Sequence, residues 1–300
     1  MAHARPLNSP SPTNSESGYE MTRFMVPDYI YKAREAQTEI YKKTVTDEDV
    51  AFMEQMFFEQ PRFYPDELKT NLPRFEYVVR ASYMYMHSLA ARLRFADKER
   101  IVSAGDKNYD WKYLAEPISR IQDPIFICAG AGINISFEIA LSQQFPNARA
   151  VILDPSPQSV KHFEDVDLPE NLSFVPVGLA GSDRILKFFR PNLPGVGSLS
   201  TLQLNPGNDF FELPVKCVKT LLAEMNASPD QLAMLKFDIE GAEHEVVDHL
   251  VDESIYPDQI AFEFDQPIPP WTIEETLRKL LAVGYEVCAF WELNVLLRRQ

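Results

Sequence analysis

The sequence predicts an α/β protein whose last 185 or so residues, 116–300, form a mostly parallel sheet closed by a C-terminal antiparallel hairpin, preceded by a helical region. Three observations carry this. Short, almost entirely apolar runs, such as Pro124–Ala129 and Ala148–Leu153, recur along that stretch with helix-like segments between them; strands apolar on both faces belong in a parallel sheet covered by helices. The first of these runs leads into Gly130-Ala131-Gly132, where a strand gives way to a helix. The chain closes on two strand-like segments, Tyr285–Phe290 and Asn294–Arg298, joined by a short turn that only antiparallel neighbours allow.

In chain order, residues 1–20 are rich in Pro, Ser and Asn and read as a disordered tail. Residues 21–115 read as a helical cap. Thr46-Asp47-Glu48-Asp49 opens one helix like a capping box, with Val50, Met53, Phe57 and Phe58 at helical spacing. A longer helix is expected from about Pro73 to Leu93. Its Tyr77, Tyr85 and His87, with Tyr83, are either helix core or the lining of an acceptor pocket. Beyond residue 116, strands are expected at Pro124–Ala129, Ala148–Leu153, Leu172–Leu179, Leu232–Phe237 and Gln259–Phe264. Helices are expected at Ser136–Gln144, at Ala242–Val251 and from Thr272, where Thr272-Ile273-Glu274-Glu275 is a capping box, to about Val283, ended by Gly284.

Composition narrows the function. A hydrophobic fraction of 45% over 300 residues is ample for a packed core. The 44 acidic and 29 basic residues leave a net charge of −15; such a field repels polyphosphate and anionic lipid, so neither nucleic acid nor membrane is an expected partner. Met1–Ser17 lacks the apolar run of a secretion signal, and the longest apolar stretches are strand-sized. Cys128, Cys217 and Cys288 are widely spaced with no CxxC pattern, as expected of reduced thiols in a cytoplasmic protein.

The glycine pair points to a ligand. A backbone without Cβ turns tightly and lets a ligand press against it. Asp154 ends the next strand, 22 residues after Gly132, where a carboxylate can accept hydrogen bonds from both hydroxyls of an adenosine ribose. A dinucleotide site prefers a third glycine where Ile135 stands, and no Walker lysine is present. A cofactor without phosphates fits better. S-adenosylmethionine is one, and its cationic sulfonium suits the acids converging on this edge. The rival readings are an NAD(P)-dependent oxidoreductase, which gives no reason for the acidic string described next, and a non-catalytic binding module.

That string is Met234-Leu235-Lys236-Phe237-Asp238-Ile239-Glu240-Gly241-Ala242-Glu243, a buried strand ending in an acid, then Glu-Gly-Ala-Glu opening a helix. It resembles the hallmark of the FkbM-type methyltransferases. Gly130–Glu138 looks like the cofactor loop of that family, Leu153-Asp154-Pro155-Ser156-Pro157 like its ribose-binding turn, and Leu213–Leu221 like the strand and helix ahead of its fourth core strand. Tyr109-Asp110-Trp111 resembles an Asp-Trp element that some members carry. The resemblance runs from about Gly105 to Arg299. It implies a Rossmann-like class I methyltransferase sheet, S-adenosylmethionine as cofactor and a hydroxyl on a small molecule, a sugar or secondary metabolite, as acceptor. Two departures stand out. Many class I methyltransferases place an acid where this chain has Cys128, which leaves the methionine ammonium to Asp238 or Asp110. Where the family often has Glu-x-His, this chain has Glu263-Phe264-Asp265.

Cofactor contacts are expected from Gly130, Ala131, Gly132, Asn134, Ser136, Asp154, Pro155, Val177, Asp238 and Glu240. Methyl transfer to an alcohol needs a group to take its proton. The candidates are Asp238, Glu263 and Asp265 at neighbouring strand ends, and His244 in the following helix. The three acids also offer the hard oxygens that Mg²⁺ chooses, although no bound metal is expected.

Overall fold

A computed structural model describes residues 100–107, 109–190, 199–201, 209–264, 270–291 and 293–300. The tail, the helices read between Val26 and Phe95, and Tyr77, Tyr83, Tyr85 and His87 lie outside the described residues.

Seven strands form the main sheet: β3 (Ile125–Ala129), β4 (Arg149–Leu153), β5 (Leu172–Val175), β9 (Leu232–Phe237), β10 (Gln259–Glu263), β11 (Tyr285–Trp291) and β12 (Asn294–Arg299). Their spatial order is β11-β12-β10-β9-β3-β4-β5. β5, β4, β3, β9 and β10 run parallel, and β12 pairs antiparallel with β10 and with β11. This is the expected α/β architecture, a mostly parallel Rossmann-like sheet ending in an antiparallel hairpin. The chain winds outward from β3 through β4 to β5, then returns to β3's other side with β9. The order reverses between β3 and β9, and a crevice opens at such a switch point, outside the carboxyl ends of the strands.

Alternation along the strands divides the core. Ile127, Ala129, Leu235, Phe237, Ile260 and Phe262 face one side, packing with helices α4 (Val218–Glu224), α5 (Glu243–Asp252) and α6 (Pro270–Ala282). The rings of Phe237 and Phe262 stack at 4.8 Å across β9 and β10. Phe126, Cys128, Ile152, Met234 and Ala261 face the other side, toward α2 (Ser136–Gln144) and toward an element unforeseen in the sequence.

That element is the antiparallel pair β1 (Ile101–Asp106) and β2 (Tyr109–Leu114), followed by the single turn α1 (Ala115–Ile118). The stretches 101–106 and 109–114, expected to end the helical cap, are strand. Tyr109, Trp111 and Tyr113 alternate onto the core face while Asp110 and Lys112 pair outside at 3.2 Å. Gln259 of β10 stitches the pair to the sheet: its side-chain amide donates to the Leu114 carbonyl at 2.8 Å and its oxygen accepts from the Leu114 N–H at 2.7 Å.

The strand expected at Leu172–Leu179 is broken. Pro176 has no N–H to continue a ladder, and Val177 N–H turns back to the Val175 carbonyl at 2.8 Å. Beyond the break, β6 (Gly178–Leu179) joins a separate three-stranded sheet with β7 (Arg184–Phe189) and β8 (Phe210–Lys216), in the order β6-β8-β7. A short helix α3 (Pro157–Phe163) follows β4, capped by Ser156, whose hydroxyl accepts from the Ser159 N–H. All three cysteines are buried thiols. Among the described residues no helix is long and apolar enough to cross a membrane.

Candidate functional site

β3, β4 and β9 are parallel neighbours, so residues 130, 154 and 238, each one step past a strand end, fall on one edge. The approach is tight. A Cβ on Gly130 would lie 1.5 Å from the Asp238 carbonyl oxygen, and the φ of +74° is one that L side chains rarely adopt. Gly132 differs: its φ is +57°, yet a Cβ there would meet no protein atom within 4 Å. It borders open space.

That space is a cavity of about 390 Å³, within the range of small-molecule sites. The glycine loop forms its floor. Asp154 and Pro155 stand on the β4 side, Asp238 and Glu240 on the β9 side. Apolar walls come from Ile133, Ile239, Leu179, Phe188 and Leu199. None of the described lining residues is Lys or Arg.

Asp154 is 7% exposed and organises the β4 side. Its Oδ2 accepts from the Gly132 N–H at 2.8 Å and its Oδ1 from the Ser156 N–H at 2.8 Å. A carboxylate has about four acceptor positions, so two remain for a ligand. Ser159 adds a second tie, its hydroxyl donating to the Gly132 carbonyl at 2.9 Å.

The β9 side is acidic and strained. Burial, with Glu243 and Asp154 nearby, pushes the Asp238 carboxyl above its ordinary range, against the pull of Lys236. Glu240 holds φ at +58° without being glycine. Its carbonyl accepts three hydrogen bonds, from Ser200 Oγ at 3.0 Å, Thr201 Oγ1 at 3.1 Å and the Thr201 N–H at 2.9 Å. Strain of that kind persists where surrounding contacts over-determine it. The Glu243 carboxylate accepts from the Gly241 N–H at 3.0 and 3.1 Å and fixes the turn from within. Glu263 follows Phe262, the β10 residue paired with Phe237 of β9. Burial, then Asp238, Glu240 and Glu243, raise its carboxyl from 4.5 to about 8.

Of the expected contacts, Gly130, Ala131, Gly132, Asn134, Asp154, Pro155, Asp238 and Glu240 all line the cavity. Val177 and Ser136 are not among the described lining residues. Val177 is buried just before β6, whose Gly178 and Leu179 reach the cavity instead. Ser136 donates its N–H to Asn134 Oδ1 at 3.2 Å and accepts the Asp106 N–H on its hydroxyl at 2.9 Å. Among the candidate bases, Asp238 lines the cavity and Glu263 stands behind it in the acid cluster. His244 points elsewhere: the helix turns its Nδ1 to Thr276 Oγ1 of α6, 2.6 Å away. Asp265 lies outside the described residues. Asp110, the other candidate for an ammonium, is on the outer face of β2 and does not line the cavity. No group of three or more His, Cys, Asp or Glu side chains among the described residues is arranged to hold a metal ion.

Three residues escaped the sequence reading. Tyr109 carries no site role in the sequence, yet it lines the cavity. Behind it sit Lys236 and Glu138, 0% and 1% exposed in their side chains, with Nζ and Oε1 3.7 Å apart. Lys236 Nζ donates to the Tyr109 oxygen and lies 4.8 Å from the Tyr109 ring centroid and 4.5 Å from that of Trp111. The Tyr109 hydroxyl donates in turn to Glu138 Oε1 at 3.4 Å. Burial pushes the Glu138 carboxyl up, Lys236 opposing. A lysine amid an apolar strand and an acid in a helix's first turn were the available signals.

No protein-family model matches the sequence. No curated protein matches it. Solved structures overlap it only loosely. A precorrin-6y C5,15-methyltransferase from Geobacter metallireducens is 16% identical, with 61% of this chain and 84% of that one covered, at a TM-score of 0.32. The S-adenosylhomocysteine-bound methyltransferase PaMTH1 of Podospora anserina is 9% identical, with 98% and 100% covered, at 0.33. An O-methyltransferase family protein from Burkholderia thailandensis is 13% identical, with 88% and 76% covered, at 0.30. Overlaps this loose carry no argument about activity, which rests on the chain's own residues.

Proposed function

We propose that the chain is an S-adenosylmethionine-dependent methyltransferase of the FkbM type, acting on a hydroxyl of a small molecule such as a sugar or secondary metabolite. The observation that carries the reading is the meeting of Gly130–Gly132, Asp154 and Asp238 around one cavity at the switch point of the sheet.

The residues fit the cofactor. Asp154 keeps two acceptor positions for the vicinal hydroxyls of a ribose. Gly132 leaves room where a side chain would intrude. Apolar walls suit an adenine, and the acids at the ends of β9 and β10 suit a cation. A pyrophosphate would instead meet Asp154, Asp238 and Glu240 with no cation among the described lining residues, which disfavours a dinucleotide. Bound there, the sulfonium supplies an electrophilic methyl group and a neutral leaving thioether.

The chain's own part is to hold the two reactants in line and to receive a proton. Asp238, which lines the cavity, is placed to take it from an acceptor hydroxyl, and its charge reaches Glu263, whose carboxyl burial and the neighbouring acids raise to about 8. The buried thiols Cys128, Cys217 and Cys288 agree with a reducing, cytoplasmic setting.

Calorimetry against S-adenosylhomocysteine and NADH tests the reading. Binding of the former alone is expected; binding of NADH alone would overturn it. Release of S-adenosylhomocysteine in a screen of hydroxylated acceptors then separates an enzyme from a silent binding module.

A further inference from the structure

We propose that Tyr109, oriented by the buried Lys236 and Glu138, receives the α-ammonium of the methionine end of the bound cofactor. The inference rests on the S-adenosylmethionine reading above.

A phenol oxygen has one proton and two lone pairs. At Tyr109 the proton is directed to Glu138 Oε1 and one lone pair takes a proton of Lys236 Nζ. One lone pair remains, on a residue that lines the cavity. A ligand group that reaches this oxygen must therefore donate to it, as long as its two buried neighbours hold it so.

The cavity has two ends. Asp154 marks the β4 side. Tyr109 lies toward β9, where Lys236 holds its oxygen and where Asp238 also lines the wall. A ligand with its ribose at Asp154 extends its other arm across the tip of β3 toward Tyr109 and Asp238. In S-adenosylmethionine that arm carries an ammonium and a carboxylate, and acceptors at this end select the ammonium. Glu138 and Asp238 are two carboxyls against the one ammonium of Lys236. The Lys236 ammonium is withdrawn among the Tyr109 and Trp111 rings. The Glu138 Oε2 has no hydrogen-bond partner among the described residues, and burial pushes both carboxyls up. A cation arriving beside Asp238 relieves that cost.

The test is calorimetry on the full chain with three probes: S-adenosylhomocysteine, its desamino analogue, and 5′-methylthioadenosine, which lacks the amino-acid arm. The wild-type chain is expected to bind S-adenosylhomocysteine roughly 10–100-fold more tightly than the desamino analogue, as a hydrogen bond to a charged group allows. Tyr109→Phe is expected to abolish most of that ratio while binding methylthioadenosine within about threefold of wild type. Equal wild-type affinity for the first two probes overturns the proposal, as does an undiminished ratio in Tyr109→Phe. If Tyr109→Phe does not bind methylthioadenosine, Glu138→Gln decides: a reduced ratio supports the proposal and an unchanged one overturns it. A wild-type chain that binds none of the three probes fails the cofactor reading itself, a distinct outcome.

Discussion

One carboxylate joins two loops: Asp154 accepts the Gly132 N–H on Oδ2 and the Ser156 N–H on Oδ1, each at 2.8 Å. Asp154→Asn replaces one acceptor with an NH₂ that faces an N–H. The variant is expected to lose about 1–3 kcal/mol of stability, read by denaturant unfolding. Its affinity for S-adenosylhomocysteine and for methylthioadenosine should fall together, because both share the ribose. A loss confined to one of them would remove Asp154 from the ribose site.

The two loop glycines should answer differently to the same change. Gly130→Ala drives a methyl into the Asp238 carbonyl, 1.5 Å away, and is expected to cost more than about 4 kcal/mol. Gly132→Ala meets nothing within 4 Å and carries only its left-handed backbone, a cost of about 1–2 kcal/mol. Its larger effect should fall on cofactor affinity, since the methyl takes ligand space. Thermal unfolding and calorimetry on both variants separate the two expectations.

Glu263 titrates at about 8 in the folded chain against an ordinary 4.5. A raised carboxyl favours its protonated form, so its contribution is whole below pH 4.5 and is lost as pH climbs through 8. Glu263→Gln is therefore expected to stabilise the fold by up to about 4–5 kcal/mol at pH 9 and by less than about 1 kcal/mol at pH 5. If Glu263 is the base, wild-type turnover rises between pH 7 and 9, and the variant is slow with a flat profile.

Lys236→Met strips Glu138 of its buried cation and the Tyr109 oxygen of a donor. A loss of about 3–5 kcal/mol is expected, growing as pH rises, because burial favours the protonated form of the stranded Glu138. Adding Glu138→Gln should restore part of it. A double variant no more stable than the single one would show that the pair is not coupled.

The main sheet was legible because it is buried on both faces, so that Ile125–Ala129 and Leu232–Phe237 read as continuous runs. The glycine loop, Asp154 and Asp238 were legible through their spacing from those runs, and all three reach the cavity. The pair β1–β2 was not, since Ser103, Gly105, Asp110 and Lys112 dilute its signal. The alternation of Tyr109, Trp111 and Tyr113 was the surviving trace. Lys236 stands out as a charge within an apolar strand, but its partners, Tyr109 and Glu138, come from distant segments that only the fold brings together. His244 sits near the acids in sequence, but the turn of α5 sends it to Thr276. Phe188 and Leu199 come from β7 and the stretch after it, whose place over the edge depends on packing between separate sheets.

The Gln259 stitch and the aromatic cover over Lys236 decide where this polypeptide can be cut. A fragment starting at residue 116 would keep every strand of the seven, yet it would leave an amide on β10 with nothing to hold and open an ammonium–carboxylate pair to water from one side. A fragment that keeps residues 101–114 is therefore expected to unfold at higher denaturant than one that starts at residue 116, with the leading pair of strands acting as a wall of the sheet.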